Sequence, residues 1–104
     1  MSKPRVEISD AATADLAAIF RYTREQWGET QAVAYIDALD AGFQRIAAKP
    51  SLGRTRFELL KGARSRLIGK HVVFYNLDES KVVILRIVHP AQDPVTLRGV
   101  GPDA

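Results

Sequence analysis

The run KVVILRIVH, residues 81 to 89, constrains this chain more than any other stretch. Val82, Ile84 and Val88 stand on one side of an alternating pattern, and Val83, Leu85 and Ile87 on the other. A strand built from it therefore has two apolar faces, and exposing either to water is unfavourable. The run is far shorter than the roughly 18 apolar residues of a membrane span, so it reads as a strand in the middle of a sheet or covered on both sides. Its one arginine, Arg86, has no acid beside it in sequence. Burying it unpaired is costly, so it must reach an uncovered face or meet a carboxylate from another element.

The neighbours such a strand needs are close by. Arg64 to Ile68 and His71 to Leu77 are strand-like, and Asp78-Glu79-Ser80 forms a tight turn into the final run. Near the start, Lys3 to Ile8 alternates, with Val6 and Ile8 opposing Arg5 and Glu7, as a short half-buried strand does.

Between these strands lie two helices. Ser9 is placed to cap the first, with Asp10 in its first turn where negative charge suits the helix dipole. Ala12, Leu16, Ile19, Phe20 and Trp27 form its apolar stripe, and Gly28 stops it. Thr30 is expected to cap the second, whose seam is Ala32, Ile36, Leu39, Phe43 and Ile46, and Lys49-Pro50 ends it. So short a link predicts an antiparallel helical hairpin. Residues 51 to 62, with Gly53, Gly62 and scattered Leu52, Phe57, Leu59 and Leu60, read as an ordered loop with one helical turn.

The order is β-α-α-β-β-β, an α+β domain in which the hairpin packs on one face of a small, mostly antiparallel sheet. The opposite face has no helices to cover it. A single domain is expected over residues 1 to 98, followed by a flexible C-terminal tail over 99 to 104. The absence of cysteine excludes disulfides and thiolate metal sites. The start MSKPRVEISD lacks an apolar leader, which points to a soluble protein of the cytoplasm with no membrane association.

Charge is polarised along the chain. Ser9 to Ala48 holds three Arg or Lys against six Asp or Glu, whereas Arg54 to Lys70 holds six basic residues against Glu58 alone. A basic surface of this kind attracts nucleic acid or an acidic protein segment, the alternative being solvated charge on a loop.

Four stretches, in order, resemble the ParE branch of the RelE/ParE toxin superfamily over roughly residues 5 to 98: ADLAAIFRYTREQWG, QAVAYIDALDAGFQRIAAKPSLGR, HVVFYNLDES and VVILRIVHPAQDP. The resemblance implies a toxin of a type II toxin-antitoxin module. Its cognate partner would be a ParD-like ribbon-helix-helix antitoxin in a hetero-oligomer, and its target DNA gyrase, poisoned by binding. The chain itself would not bind DNA sequence-specifically. The RelE branch of the same fold cleaves messenger RNA on the ribosome instead, and fold alone does not choose between the two. A third possibility is a degenerate toxin kept for complex formation.

A metal-independent ribonuclease must activate a 2′-hydroxyl, stabilise charge on the phosphate and protonate a leaving oxygen. Arg64 and Arg66, which share a strand face, together with Arg86, Tyr75 and His89 provide the raw material. Alternation sets Arg86 and His89 on opposite faces unless a bulge intervenes, and the tail after His89 keeps Arg98 but no Lys, Tyr or His. His89 reads equally as a strand-end imidazole bonded to backbone before Pro90, and His71 as a packing residue. No catalytic residue, cofactor or metal site is therefore expected. Arg64, Arg66, Arg86, Tyr75 and His89 are read as a surface that binds antitoxin or target, with Arg64, Arg66 and Arg86 forming one exposed basic row. The rival reading pairs Arg86 internally with the acidic hairpin. Of Phe74 and Tyr75, adjacent on one strand, one should face the helices and the other the open side.

Overall fold

The computed structural model describes residues 5–57 and 61–92. The expected tail, Arg98, Leu59 and Leu60 lie outside the described residues. The elements are β1 (Arg5–Ile8), α1 (Asp10–Trp27), α2 (Glu29–Ala48), β2 (Arg54–Thr55), β3 (Ala63–Ile68), β4 (His71–Asp78) and β5 (Lys81–Val88), with 3-10 turns at Pro50–Leu52 and Pro90–Gln92. The expected order is present, and the two-residue β2 is added to it.

The sheet runs β1-β5-β4-β3-β2. The doubly apolar run therefore lies inside the sheet, with β4 antiparallel on one side and β1 parallel on the other. Val73, Tyr75, Val82, Ile84 and Ile87 pack on one face against Ala12 and Ile19 of α1 and Leu39, Phe43 and Ile46 of α2. Phe74 and Val88, with Val72 and Leu85 packed on them, form a second, smaller cluster.

Both helix stripes follow from their spacing, with two corrections. Ser9 caps α1 as expected, its hydroxyl accepting from the Ala12 amide at 3.0 Å. Trp27, however, is 63% exposed. The buried residues of α1 stop at Ile19, so Trp27, in the last turn, lies past the buried part of the helix. Thr30 does not cap α2, because α2 begins one residue earlier, at Glu29. Gly28 alone joins the helices, at φ 96°, donating back to the Arg24 carbonyl and accepting from the Ala32 amide. A side chain would strain that left-handed position, so the sharp reversal depends on glycine.

The β5 ladder carries a bulge. Tyr75 pairs with Ile84 but Phe74 pairs with Arg86, which leaves Leu85 as an extra residue. Consequently Ile84 and Ile87, three positions apart, both enter the helix-side core. Simple alternation, which set Ile84 and Ile87 on opposite faces, fails at this point.

Candidate functional site: a basic groove at the sheet edge

The segment leaving α2 is fastened to the sheet by Tyr75. Its hydroxyl donates to the Pro50 carbonyl and accepts from the Gly53 amide at 2.8 Å. Tyr75 is completely buried, so the expectation that it serves as a contact residue is corrected: the side chain holds the connector. Burial raises the pKa of its phenol, partly opposed by the Gly53 amide and by Arg64 and Arg66, and the hydroxyl stays protonated as a donor.

Arg64 and Arg66 share a face of β3, as expected, and that face is the one Tyr75 and Val73 occupy opposite them. Both reach the same connector. Arg64 Nη1 donates to the Gly53 carbonyl at 2.8 Å and Arg66 Nη1 to the Leu52 carbonyl at 3.5 Å. Both are partly buried.

On the other face, β2 and the residue that follows it contribute two further cations, Arg54 and Arg56. Arg54 stands opposite Ser65 and is exposed. Arg56 lies with its guanidinium 5.1 Å from the centre of the Phe74 ring, bonded to Ser65 Oγ at 3.2 Å and only 5% exposed. So of the adjacent aromatic pair, Tyr75 faces the helices and Phe74 the opposite side, as alternation requires. Around this edge runs an open groove of about 540 Å³, with Leu52, Leu67, Val72 and Pro90 as its apolar walls and Arg54, Arg56, Ser65 and Arg66 as its polar ones.

Arg86 is not part of that groove. Its Nε and Nη2 donate to Asp15 Oδ2 and Oδ1 at 2.7 and 2.9 Å, and the Ile87 amide donates to Oδ2 at 2.9 Å. The expected row of Arg64, Arg66 and Arg86 is thus corrected in favour of the internal pair. The cause is the length of β1, which ends opposite Ile84 and leaves the rest of that β5 edge without a strand. The chain entering α1 takes over there: Ser9 bonds the Ile84 and Leu85 carbonyls, and Asp15 bonds the Ile87 amide and draws in Arg86.

The two histidines are tied into the fold. His89 is exposed, but its Nδ1 accepts from the Ala91 amide at 3.1 Å and its carbonyl accepts from the Gln92 amide at 2.8 Å. It shapes the turn at Pro90, as its strand-end reading anticipates. His71 Nδ1 lies 2.6 Å from the Tyr35 hydroxyl, which also accepts from the Lys70 amide. Burial lowers the His71 pKa, and the nearby His89 lowers it further against an opposing pull from Asp15. The imidazole is neutral near pH 7 and shares a hydrogen bond with the Tyr35 hydroxyl through Nδ1. Among the described residues no group of three or more His, Cys, Asp or Glu could hold a metal ion, and no helix is long and apolar enough to cross a membrane.

Arg54 and Tyr35 were not singled out from sequence. Arg54 belongs to the counted basic segment, and its alternation with Arg56 about Thr55 is the signal that β2 exists. Tyr35 gives no such signal, because its partner comes from a strand 36 positions away.

The model of the family "ParE toxin of type II toxin-antitoxin system, parDE" matches residues 6–94. The chain belongs to the ParE toxin family. Toxin ParE1 of Mycobacterium tuberculosis is 34% identical over 90 residues, covering 86% of this chain and 92% of that one. Toxin ParE1 of Caulobacter vibrioides is 36% identical over 86 residues, covering 83% and 88%. Among solved structures, a chain of the chromosomal ParDE TA system from P. aeruginosa superposes with a TM-score of 0.72 at 18% identity, covering 84% of this chain and 96% of that one. A chain of the RelBE2 toxin-antitoxin complex from Mycobacterium tuberculosis gives 0.57 at 24% identity, covering 85% and 99%. Both likenesses establish the shared RelE/ParE fold. In this ParE family member the groove is built by the connector after α2, by β2 and by the outer edge of β3.

Proposed function

We propose that this ParE toxin acts in the cytoplasm by binding DNA gyrase rather than by catalysis, and that a ribbon-helix-helix antitoxin encoded beside it keeps it silent. One observation carries the choice between binding and cleavage: the groups a nuclease would need are committed to the fold. Arg86 is closed on Asp15, the Tyr75 hydroxyl on the connector, and His89 Nδ1 on a backbone amide. A general base or a phosphate clamp must be free to meet its substrate. What remains at the surface is an apolar groove flanked by Arg54 and Arg66, which is suited to docking a partner. The RelE-type ribonuclease reading has no residue-level support beyond a shared fold.

The test is direct. Purified toxin is incubated with gyrase, ATP and supercoiled plasmid, and separately with translating ribosomes. Accumulation of gyrase-linked linear DNA, with messenger RNA left intact, is the expected result. Messenger RNA cut at the ribosomal A site, without any gyrase cleavage complex, would overturn it.

A further inference from the structure

The β4–β5 ladder ends on the pair Val72 and Val88. One position further out on the two chains stand His71 and His89, near enough that His89 acts on the charge of His71. Each ring is bonded into its own turn. His89 Nδ1 accepts the Ala91 amide at 3.1 Å and so closes the turn that begins at Pro90. A nitrogen that accepts an N–H carries no proton, so the neutral ring holds its proton on Nε2. A second proton, taken up at Nδ1, sets donor against donor and opens that bond. His71 Nδ1 lies 2.6 Å from the Tyr35 hydroxyl, whose oxygen also accepts the Lys70 amide at 3.0 Å. This ring is partly buried, so a charge on it is partly cut off from water.

The elements packed around the two rings offer such charges little relief. From α2 comes Tyr35, a neutral phenol, and from the β3–β4 turn Lys70, a further cation. β3 places the apolar Ile68 opposite His71. Asp15 of α1 is closed on Arg86 of β5. With both rings protonated, like charges would stand across the end of the ladder. Val72 and Pro90, next in sequence to the two rings, are walls of the groove. The bonds that hold the last rung and the Pro90 turn therefore hold the shape of the groove.

We propose that the Val72–Pro90 wall is proton-sensitive: it stands while His71 and His89 are neutral and loosens when they are protonated, so that the antitoxin segment docked in the groove is released on acidification. This rests on the toxin reading above and adds regulation to it. Excluding one proton from an imidazole that titrates near 6.5 lowers affinity about tenfold between pH 7.5 and pH 5.5. A cation gained at the groove margin works the other way on an acidic partner, by about fivefold at most for an exposed, screened pair.

Two measurements test it. In the free chain, nitrogen-15 shifts of the imidazoles at pH 7.5 should show His89 with Nδ1 unprotonated, and the Ala91 amide should shift with the same midpoint as that ring on acidification. A His89 ring protonated on Nδ1 at pH 7.5, or an Ala91 amide indifferent to the ring, overturns the proposal and leaves the toxin reading standing. In the complex with the antitoxin from the adjacent reading frame, calorimetry at pH 7.5 and pH 5.5 compares the native chain with His71→Gln combined with His89→Gln, in which the amide oxygens accept but do not titrate. The native chain should lose about tenfold more affinity than the variant. Equal losses, or affinity that rises on acidification, overturn it. If the adjacent frame yields no binding partner, the antitoxin reading falls and release with it, and the ring measurement separates that case from a wall that does not sense protons. The ring measurement needs no substitution, so it holds even if the variant does not fold.

Discussion

Asp15 and Arg86, 71 positions apart in sequence, meet in a two-pronged ion pair whose carboxylate also takes the Ile87 amide. The arrangement joins the first turns of α1 to the stretch of β5 that β1 fails to cover. The Asp15 hydrogen bond raises the Arg86 pKa, so the guanidinium remains charged throughout the working pH range. Asp15→Ala removes three acceptor contacts at once and leaves a partly buried cation and an N–H without partners. The expected loss is about 2–3 kcal/mol, below the value for a fully buried pair because the two side chains keep 22% and 15% of their exposure. Urea unfolding of the two proteins, compared by midpoint and slope, measures it.

The hydroxyl of Tyr75 gives a second, smaller prediction. Tyr75→Phe keeps the ring in the core and deletes both bonds to the connector, so a loss of about 1–2 kcal/mol is expected. Faster exchange of the Gly53 amide, with the exchange of α1 amides unaltered, would show that the loss is local to the groove wall.

Charge reversal at the groove separates docking from folding. Arg54→Glu with Arg66→Glu should weaken the antitoxin complex about 10- to 100-fold and flatten its salt dependence, with the thermal midpoint of the free toxin little changed. Arg86→Glu should behave in the opposite way, lowering the midpoint by setting two carboxylates against each other. Titration calorimetry at two salt concentrations, alongside thermal melts, distinguishes the two classes.

His71 makes stability depend on pH. Its folded pKa is lowered, chiefly by burial, so the unfolded chain binds more protons as pH falls. The neutral imidazole's contribution is complete above the unfolded value of about 6.5 and is lost as pH drops from there through the folded value. The melting temperature should therefore fall between pH 7.5 and pH 5.5, and more steeply than in His71→Gln. Equal slopes for the two proteins would assign the dependence to other groups.

Much of the architecture could be read from local pattern. Ser9, Gly28, Pro50 and the turn before Lys81 mark boundaries by their own chemistry, and the doubly apolar run demanded an interior strand. What escaped local reading depends on contacts distant in sequence. Trp27 carries the right spacing for a core residue, but it stands in the last turn of α1, past the last buried residue. Tyr75 was assigned a surface role because alternation cannot say which face the helices cover. Arg86 was placed on the open side because its acid, Asp15, belongs to the first helix. Arg64 and Arg66 were correctly put on one strand face, yet Arg54, which lines the groove together with Arg66, belongs to the unrecognised β2.

The extra residue at Leu85 is what keeps a charge out of the core. In an unbroken ladder running on from the Tyr75–Ile84 pair, Arg86 would stand opposite Val73, on the face the helices cover. The bulge sets it opposite Phe74 instead, and Ile87 takes the place beside Val73. A one-residue deletion at that position would therefore turn a guanidinium inward among aliphatic side chains, so the irregularity is a condition of folding for this sequence and not a defect in its sheet.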